Sequence, residues 1–407
     1  MIYGLVALAM GAMIGLGGAD AAPIAGMNGS TLVVSAEHRI EFPDRIVLEL
    51  EAESVENVVN VQLFYRIGRQ DALIYGYPNI LRTSGGVSAE FVISTASSGF
   101  IPSGVDIEYY YAFQDSDGQT VESERFTIEY LDPRYNWQRY DAGTFEILWH
   151  DRPRPLVEGV ADEVNQHLLP VLSMFGVEGL DKMKAVITNG SRESGRTFPR
   201  VSQTASDGQL YSGFAFGEYD VFLLAGLGVD GMIHEMTHLF FDEAINSPRA
   251  KVPAWVNEGL AMYFERGTGG RESIVSNAAR SGSLFRLDSM GAVPGRPSDV
   301  RIFYAQSWSL VTFMIETFGT ERMSAMLTAL NNGQPIEQAI QTAYGLTSLQ
   351  LESGWRTQLR TAASFTQVID PGSFGTSVII TGALLVTATV VTVRWLRRDR
   401  EPAIYED

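Results

Sequence analysis

Two histidines four residues apart, with a glutamate directly after the first, stand at His234-Glu235-Met236-Thr237-His238. On a helix, residues four apart share a face, so both imidazoles can reach one metal ion. Glu235 then lies within reach of a water held by that ion. Zinc lowers the pKa of bound water to about 7, and an adjacent carboxylate can take the proton and later pass it to a leaving amine. The chemistry is hydrolysis of an amide. A catalytic zinc needs three protein ligands and one open position. Nineteen residues separate His238 from Glu258, which stands in Pro253-Ala254-Trp255-Val256-Asn257-Glu258-Gly259-Leu260-Ala261. Pro253 marks a helix start, Trp255 and Leu260 can pack that helix down, and Glu258 can offer the third ligand. Nitrogen and oxygen ligation points to Zn2+, one per chain, although another divalent ion could occupy such a site.

The pair of segments resembles the signature of the gluzincin metallopeptidases, the group of thermolysin and the aminopeptidase N relatives. In that group His-Glu-x-x-His is followed by Asn-Glu on the next helix. Trp255-Val256-Asn257-Glu258-Gly259 is similar to their Trp-Leu-Asn-Glu-Gly. Tyr304-Ala305-Gln306-Ser307-Trp308, Ala343-Tyr344-Gly345, Leu351-Glu352 and Trp355 also resemble the peptidase MA-like domains of bacterial envelope proteins, a likeness that spans roughly residues 140 to 363. The resemblance implies that His234, His238 and Glu258 are metal ligands and that Glu235 is the general base. Two departures stand out. The Gly-x-Met-Glu-Asn motif that grips a substrate amine in the aminopeptidase N group is absent from residues 22–372, and the acidic residue expected one turn after the glutamate ligand is Met262. Asp242 or Glu243 is the candidate to orient a histidine instead.

A hydrolase of this kind also needs a donor where charge develops on the carbonyl oxygen. The remaining histidines, His38, His150 and His167, all precede the motif, unlike the histidine donor of thermolysin. Tyr304, expected at the head of the first helix of a C-terminal lobe, is the candidate, because tyrosine fills this part in related gluzincins. Gly213-Phe214-Ala215 is either a strand edge that a peptide substrate could pair with or an ordinary interior strand.

The elements that must hold these groups follow from periodicity. Residues 155–175 carry apolar positions at 156, 160, 164, 168 and 172, a helical spacing. Met183–Thr188, Gly213–Phe216 and Val221–Ala225 look like strands, helices are expected over roughly 229–244 and 253–265, and 304–363 reads as several helices. Thr320 and Thr347 are candidate N-caps, Thr347 with Gln350 at capping-box spacing, and Pro335 suits a first helical turn. Before this α+β region, residues 30–132 read as all-β. Apolar runs at 31–36, 45–52, 59–67, 87–93, 106–114 and 120–130 alternate with turns, the pattern of an immunoglobulin-like or fibronectin-like sandwich. The expected fold is therefore multidomain: a β-sandwich over 30–132, then a thermolysin-like α+β peptidase domain with a helical lobe over 140–365.

The chain has 407 residues, 45% of them apolar, enough for more than one core. A net charge of −18 argues against a nucleic-acid binder, which needs a basic face. The absence of cysteine excludes disulfides, thiol catalysis and thiolate metal sites. Residues 2–18 are uncharged and apolar, and Ala19-Asp20-Ala21 follows, so residues 1–21 read as a signal peptide, with an uncleaved anchor as the alternative. Phe374 to Val393 carries no charge over a bilayer-spanning length, and Arg394, Arg397, Arg398 and Arg400 follow at once, which places the tail 394–407 in the cytoplasm. The sequence thus points to a single-pass bacterial membrane protein with its catalytic domain outside, acting on a peptide or protein. Alternatives are an inactive surface binding or adhesion protein and a zinc hydrolase of cell-wall peptides. The sequence is silent on oligomeric state.

Overall fold

The computed structural model describes residues 16–18, 22–25, 31–53, 58–83, 86–96, 99–177, 182–199 and 212–368. The expected span at 374–393 and the tail at 394–407 lie outside these residues, as do residues 1–15 and 19–21 of the expected leader. No helix among the described residues is long and apolar enough to cross a membrane.

The N-terminal region is β-rich, and a largely helical region follows it. Strands β1 (Leu16–Gly18) and β2 (Ala22–Ala25) both pair with β3 (Thr31–Glu41). β4 (Arg45–Glu53) pairs antiparallel with β3. A second layer begins with β5 (Val58–Ile67) and β6 (Ile74–Gly76), while β7 (Asn79–Thr83) and β8 (Gly86–Ser94) return to β4. β9 (Asp106–Asp115) pairs with β5, and β10 (Thr120–Glu122) and β11 (Phe126–Glu129) both pair with β9. Period-two alternation drives the layering: Ile46, Leu48 and Leu50 are buried while Glu49 and Glu51 face out, and Ile107, Tyr109, Tyr111 and Phe113 fill the same core from the opposite sheet. The apolar run at 120–130 divides into β10 and β11, and the short strands β6 and β7 were too brief to stand out in the sequence.

The third sheet has the order β12-β13-β14-β16-β15. β13 (Phe145–Trp149), β14 (Met183–Thr188) and β16 (Val221–Ala225) are parallel, and the edges β12 (Gln138–Asp141) and β15 (Gly213–Phe216) are antiparallel. Parallel strands need both faces covered. Helices cover one face. α1 (Arg154–Phe175), and beyond the short α2 (Ser191–Thr197) the helix α3 (Val229–Ala244), pack on Phe145, Ile147, Trp149, Ala185, Ile187 and Phe222. The sandwich covers the other, because Leu148, Val186, Val221 and Leu223 belong to its core. Lys184 reinforces this junction through Asp106 (2.8 Å), Glu129 (2.9 Å) and the Gly104 carbonyl (3.1 Å).

The helical lobe contains α4 (Ala254–Phe264), α5 (Arg271–Ser281), α6 (Pro297–Phe318), α7 (Thr320–Asn331), α8 (Ile336–Tyr344) and α9 (Ser348–Val368) around a separate core that includes Trp255, Phe303, Met314 and Trp355. The Thr347–Gln350 capping box forms, with Thr347 N–H donating to Gln350 Oε1 at 2.9 Å and Gln350 N–H to Thr347 Oγ1 at 3.2 Å. Thr320 instead begins α7 behind the cap residue Gly319, and Pro335 is the cap residue of α8 rather than its first turn. The lobe also starts earlier than expected. α5 already belongs to it, and Tyr304 lies inside α6 instead of at a helix head.

The shared core gives a prediction. A fragment beginning at residue 133 returns Leu148, Val186, Val221 and Leu223 to water, at about 1.5–3 kcal/mol for each fully buried side chain. It is expected to melt well below the full chain and to bind a hydrophobic dye; equal melting temperatures would show that the sandwich is a detachable spacer.

Candidate metal and catalytic site

α3 is two-faced. Met232, Ile233, Met236, Leu239 and Phe240 are buried against the third sheet and α1, and the opposite face presents His234, Glu235 and His238 to a cleft of about 670 Å³. α4 lies beside α3 and brings Glu258 to the same point. Its approach to α6 is close at Gly259, where a Cβ would stand 2.6 Å from the Ser307 carbonyl oxygen and 2.5 Å from Val311 Cγ2. Only glycine permits that packing, and the packing fixes the depth at which the neighbouring Glu258 enters.

The Nε2 atoms of His234 and His238 each lie 3.7 Å from Glu258 Oε2. One ligand atom from each of these residues falls within 4.8 Å of the others. Both Nδ1 atoms are occupied: that of His234 by Glu265 Oε1 at 2.9 Å and that of His238 by Asn257 Oδ1 at 2.9 Å. Hydrogen bonding at Nδ1 orients each ring with Nε2 toward the shared point, where a metal would take the place of an Nε2 proton. Two imidazole nitrogens and one carboxylate are the donor set of a catalytic zinc with an open position, so the residues present fit a divalent cation.

The electrostatics agree. Burial disfavours a charged His234, but contacts with Glu258 and Glu265 and the charge of Glu235 outweigh it and raise its pKa to about 10. Burial lowers His238. Burial also works against an ionised Glu258, yet His234, His238 and a hydrogen bond from Tyr304 keep its pKa below the usual range. Glu235 is 6% exposed; burial, aided by Glu258 and Glu265 and opposed by His234, lifts its pKa to about 7. A carboxyl so placed can both accept and return a proton near neutral pH.

Among the described residues β15 is the terminal strand of its sheet, and it lines this cleft. A Cβ on Gly213 would stand 2.4 Å from Glu235 Oε1, so the strand and the carboxyl interlock. Gly213, Phe214 and Ala215 line the cleft with His234, Glu235, His238, Glu258 and Tyr304. The structure thus brings every candidate site residue together.

Residues 215–361 match the family model of the Peptidase MA superfamily. They form a peptidase MA-like domain. No curated protein matches the chain. Among solved structures it is similar to an aminopeptidase N family protein from Idiomarina loihiensis, at 8% identity over 77% of this chain and 73% of that one, with a TM-score of 0.38. It is also similar to the purple acid phosphatase PPD1 of yellow lupin (Lupinus luteus) seeds, at 10% identity over 39% of this chain and 34% of that one, with a TM-score of 0.18. At such scores neither neighbour bears on the chemistry.

In the peptidase MA-like domain the partners that orient the two histidines differ from those expected. Neither Asp242 nor Glu243 bonds a histidine; Asn257 and Glu265 do. Glu265 follows Glu258 by seven residues, two helical turns, and that spacing was the available signal. Arg271 holds Glu265 through Nη2–Oε2 at 2.6 Å and also donates to the Gly267 carbonyl at 2.7 Å. The other histidines serve elsewhere. His150 pairs with Glu193 at 2.7 Å and stacks on Tyr135 at 4.0 Å, His167 bonds the Glu163 carbonyl within α1, and His38 lies in β3.

If Glu265 fixes His234, its loss weakens the cation site without removing a ligand. Glu265→Ala is expected to lower zinc affinity about 10–100-fold, measured by competition with a chromophoric chelator. Unchanged affinity would mean that His234 is oriented by α3 alone.

Proposed function

We propose that this chain is a gluzincin-type metallopeptidase that holds one zinc ion on His234, His238 and Glu258. The observation that carries the reading is the pairing of two Nδ1-anchored histidines and Glu258 with a buried carboxyl, Glu235, pressed against an edge strand. The cation, when bound, supplies a Lewis acid that acidifies water and polarises the scissile carbonyl. Glu235 takes a proton from the attacking water on its carboxylate and delivers it to the nitrogen of the leaving amine. Tyr304, which lines the same cleft from α6, offers its hydroxyl to the oxygen on which charge develops. Gly213-Phe214-Ala215 lines the cleft beside Glu235, where an extended peptide substrate lies along the strand. Absence of the Gly-x-Met-Glu-Asn motif favours an endopeptidase.

The cellular setting is part of the proposal. The uncharged stretch 374–393 and the arginines after it support a single-pass anchor with tail 394–407 inside, and residues 1–21 support export, which puts the catalytic domain outside the cytoplasm. The sandwich is read as immunoglobulin- or fibronectin-like, because β3-β4-β8-β7 faces β10-β9-β5-β6 in the strand order of such domains.

Casein cleavage by the zinc-loaded full chain tests the reading. The parent is expected to cleave, and Glu235→Gln to be slower by about 10²–10⁴-fold while retaining its metal. No cleavage by the parent, or equal rates for the two, would overturn it.

A further inference from the structure

The sandwich grips the turn between β15 and β16. Phe216 pairs with Val221, so Gly217-Glu218-Tyr219-Asp220 forms that turn. Gly68-Arg69-Gln70, the turn leaving β5, meets it. Gly68 N–H donates to the Asp106 carbonyl at 2.8 Å, which ties this turn to β9. Gly68 has a φ of 56°, and a Cβ there would stand 2.8 Å from Tyr219 Cδ1. Gln70 Nε2 donates to the Tyr219 hydroxyl at 3.1 Å and to Glu218 Oε2 at 3.2 Å. Arg69 donates to Asp220 Oδ2. Phe216, at the end of β15, meets Phe100 with ring centroids 5.7 Å apart.

Asp220 is the residue that needs holding. Its φ of 51° lies in the left-handed region, where no other non-glycine residue among the described residues is found. Asparagine and aspartate tolerate that region better than other side chains. Asp220 is also 7% exposed. A carboxylate buried to that extent needs a paired charge, and Arg69 supplies it from the sandwich. The Asp220 carbonyl accepts from Lys184 N–H at 2.8 Å, so the turn is tied to β14 as well.

The other part of the hairpin enters the cleft. A Cβ on Gly217, the first residue of the turn, would stand 2.5 Å from Asp242 Oδ2, and one on Gly213, at the start of β15, would stand 2.4 Å from Glu235 Oε1. Among the described strands β15 bonds only to β16. A turn that shifts therefore carries β15 with it and opens both contacts.

We propose that Arg69 is a positioning residue for hydrolysis. By holding Asp220 it fixes the β15–β16 hairpin, and so the wall of the cleft that packs on Glu235. The sandwich thereby sets the geometry of a site to which it contributes no reacting group. The consequence for activity rests on the peptidase reading, so the test also follows the hairpin directly.

Amide hydrogen exchange over residues 213–216 is measured by mass spectrometry on the zinc-loaded full chain and on its Arg69→Ala, Asp220→Asn and Arg69→Lys variants, together with casein cleavage and zinc content. Arg69→Ala and Asp220→Asn are each expected to speed exchange in β15 about tenfold, as the loss of one hydrogen bond to a charged group would. Exchange in β13 and β14 and the zinc content should not change. Cleavage should fall about 10-fold to 100-fold, and Arg69→Lys should retain most of both properties. Unchanged exchange in β15 would overturn the proposal. So would faster exchange throughout the sheet, which marks a merely structural junction, or local loosening with undiminished cleavage. Local loosening in a chain whose parent does not cleave would sustain the hold on the hairpin and sink the peptidase reading.

Discussion

The fixed approach of two helices is the constraint on which the rest depends. α3 can present His234 and His238 by itself, but the third donor arrives only if α4 lies at one depth and one rotation beside it. Gly259 sets the depth through its contact with α6. Asn257 and Glu265, on or just past the same helix, set the rotation, because each must reach a histidine Nδ1 at 2.9 Å. Ligand, orienting groups and packing glycine thus occupy one short segment. The result concentrates Glu235, Glu258 and Glu265 around His234. Carboxylates gathered in a buried place repel one another unless a positive charge lies among them, and here His234 takes that charge itself, with its pKa near 10. The arrangement is suited to a cation.

The third sheet provides the platform. Its parallel centre is closed on one side by α1 and α3 and on the other by the sandwich. With both faces committed, the sheet has little freedom to twist, and its terminal strand β15 is held in a fixed relation to α3. The contacts Gly213–Glu235 and Gly217–Asp242 show how close that relation is. The sandwich therefore contributes to the site at a distance, as the back wall of the sheet that positions the cleft.

Much of this was legible because it is local. The four-residue histidine spacing and the proline before α4 state their structure within one or two turns; the helix of α1 was equally legible, but its buried face runs through Val157, Ala161, Val164, Leu168 and Val171, and Leu156 of the expected stripe is exposed. Alternation along β4 and β9 did the same for the sandwich. What escaped depended on three-dimensional proximity. Glu265 reads as a surface acid at a helix end until α3 is placed beside it, and Asp242 or Glu243 reads as the partner of a histidine until Asn257 and Glu265 take those bonds. Gly259 could be noticed as part of a motif, but only the carbonyl of Ser307 explains it. α5 and the start of α6 carry weak periodicity, so Tyr304 was expected at a helix head and is found inside a helix. The burial of Leu148, Val186, Val221 and Leu223 under the sandwich joins segments separated along the chain, beyond what periodicity reports.

The central claim is that His234, His238 and Glu258 together hold one metal ion. The most direct test is the metal content, by elemental analysis, of the purified full chain and of its His238→Ala and Glu258→Ala variants. The account predicts about one zinc per parent chain and a marked loss in each variant, with the fold retained by circular dichroism. A parent that binds no divalent cation, or variants that bind as much as the parent, would contradict it.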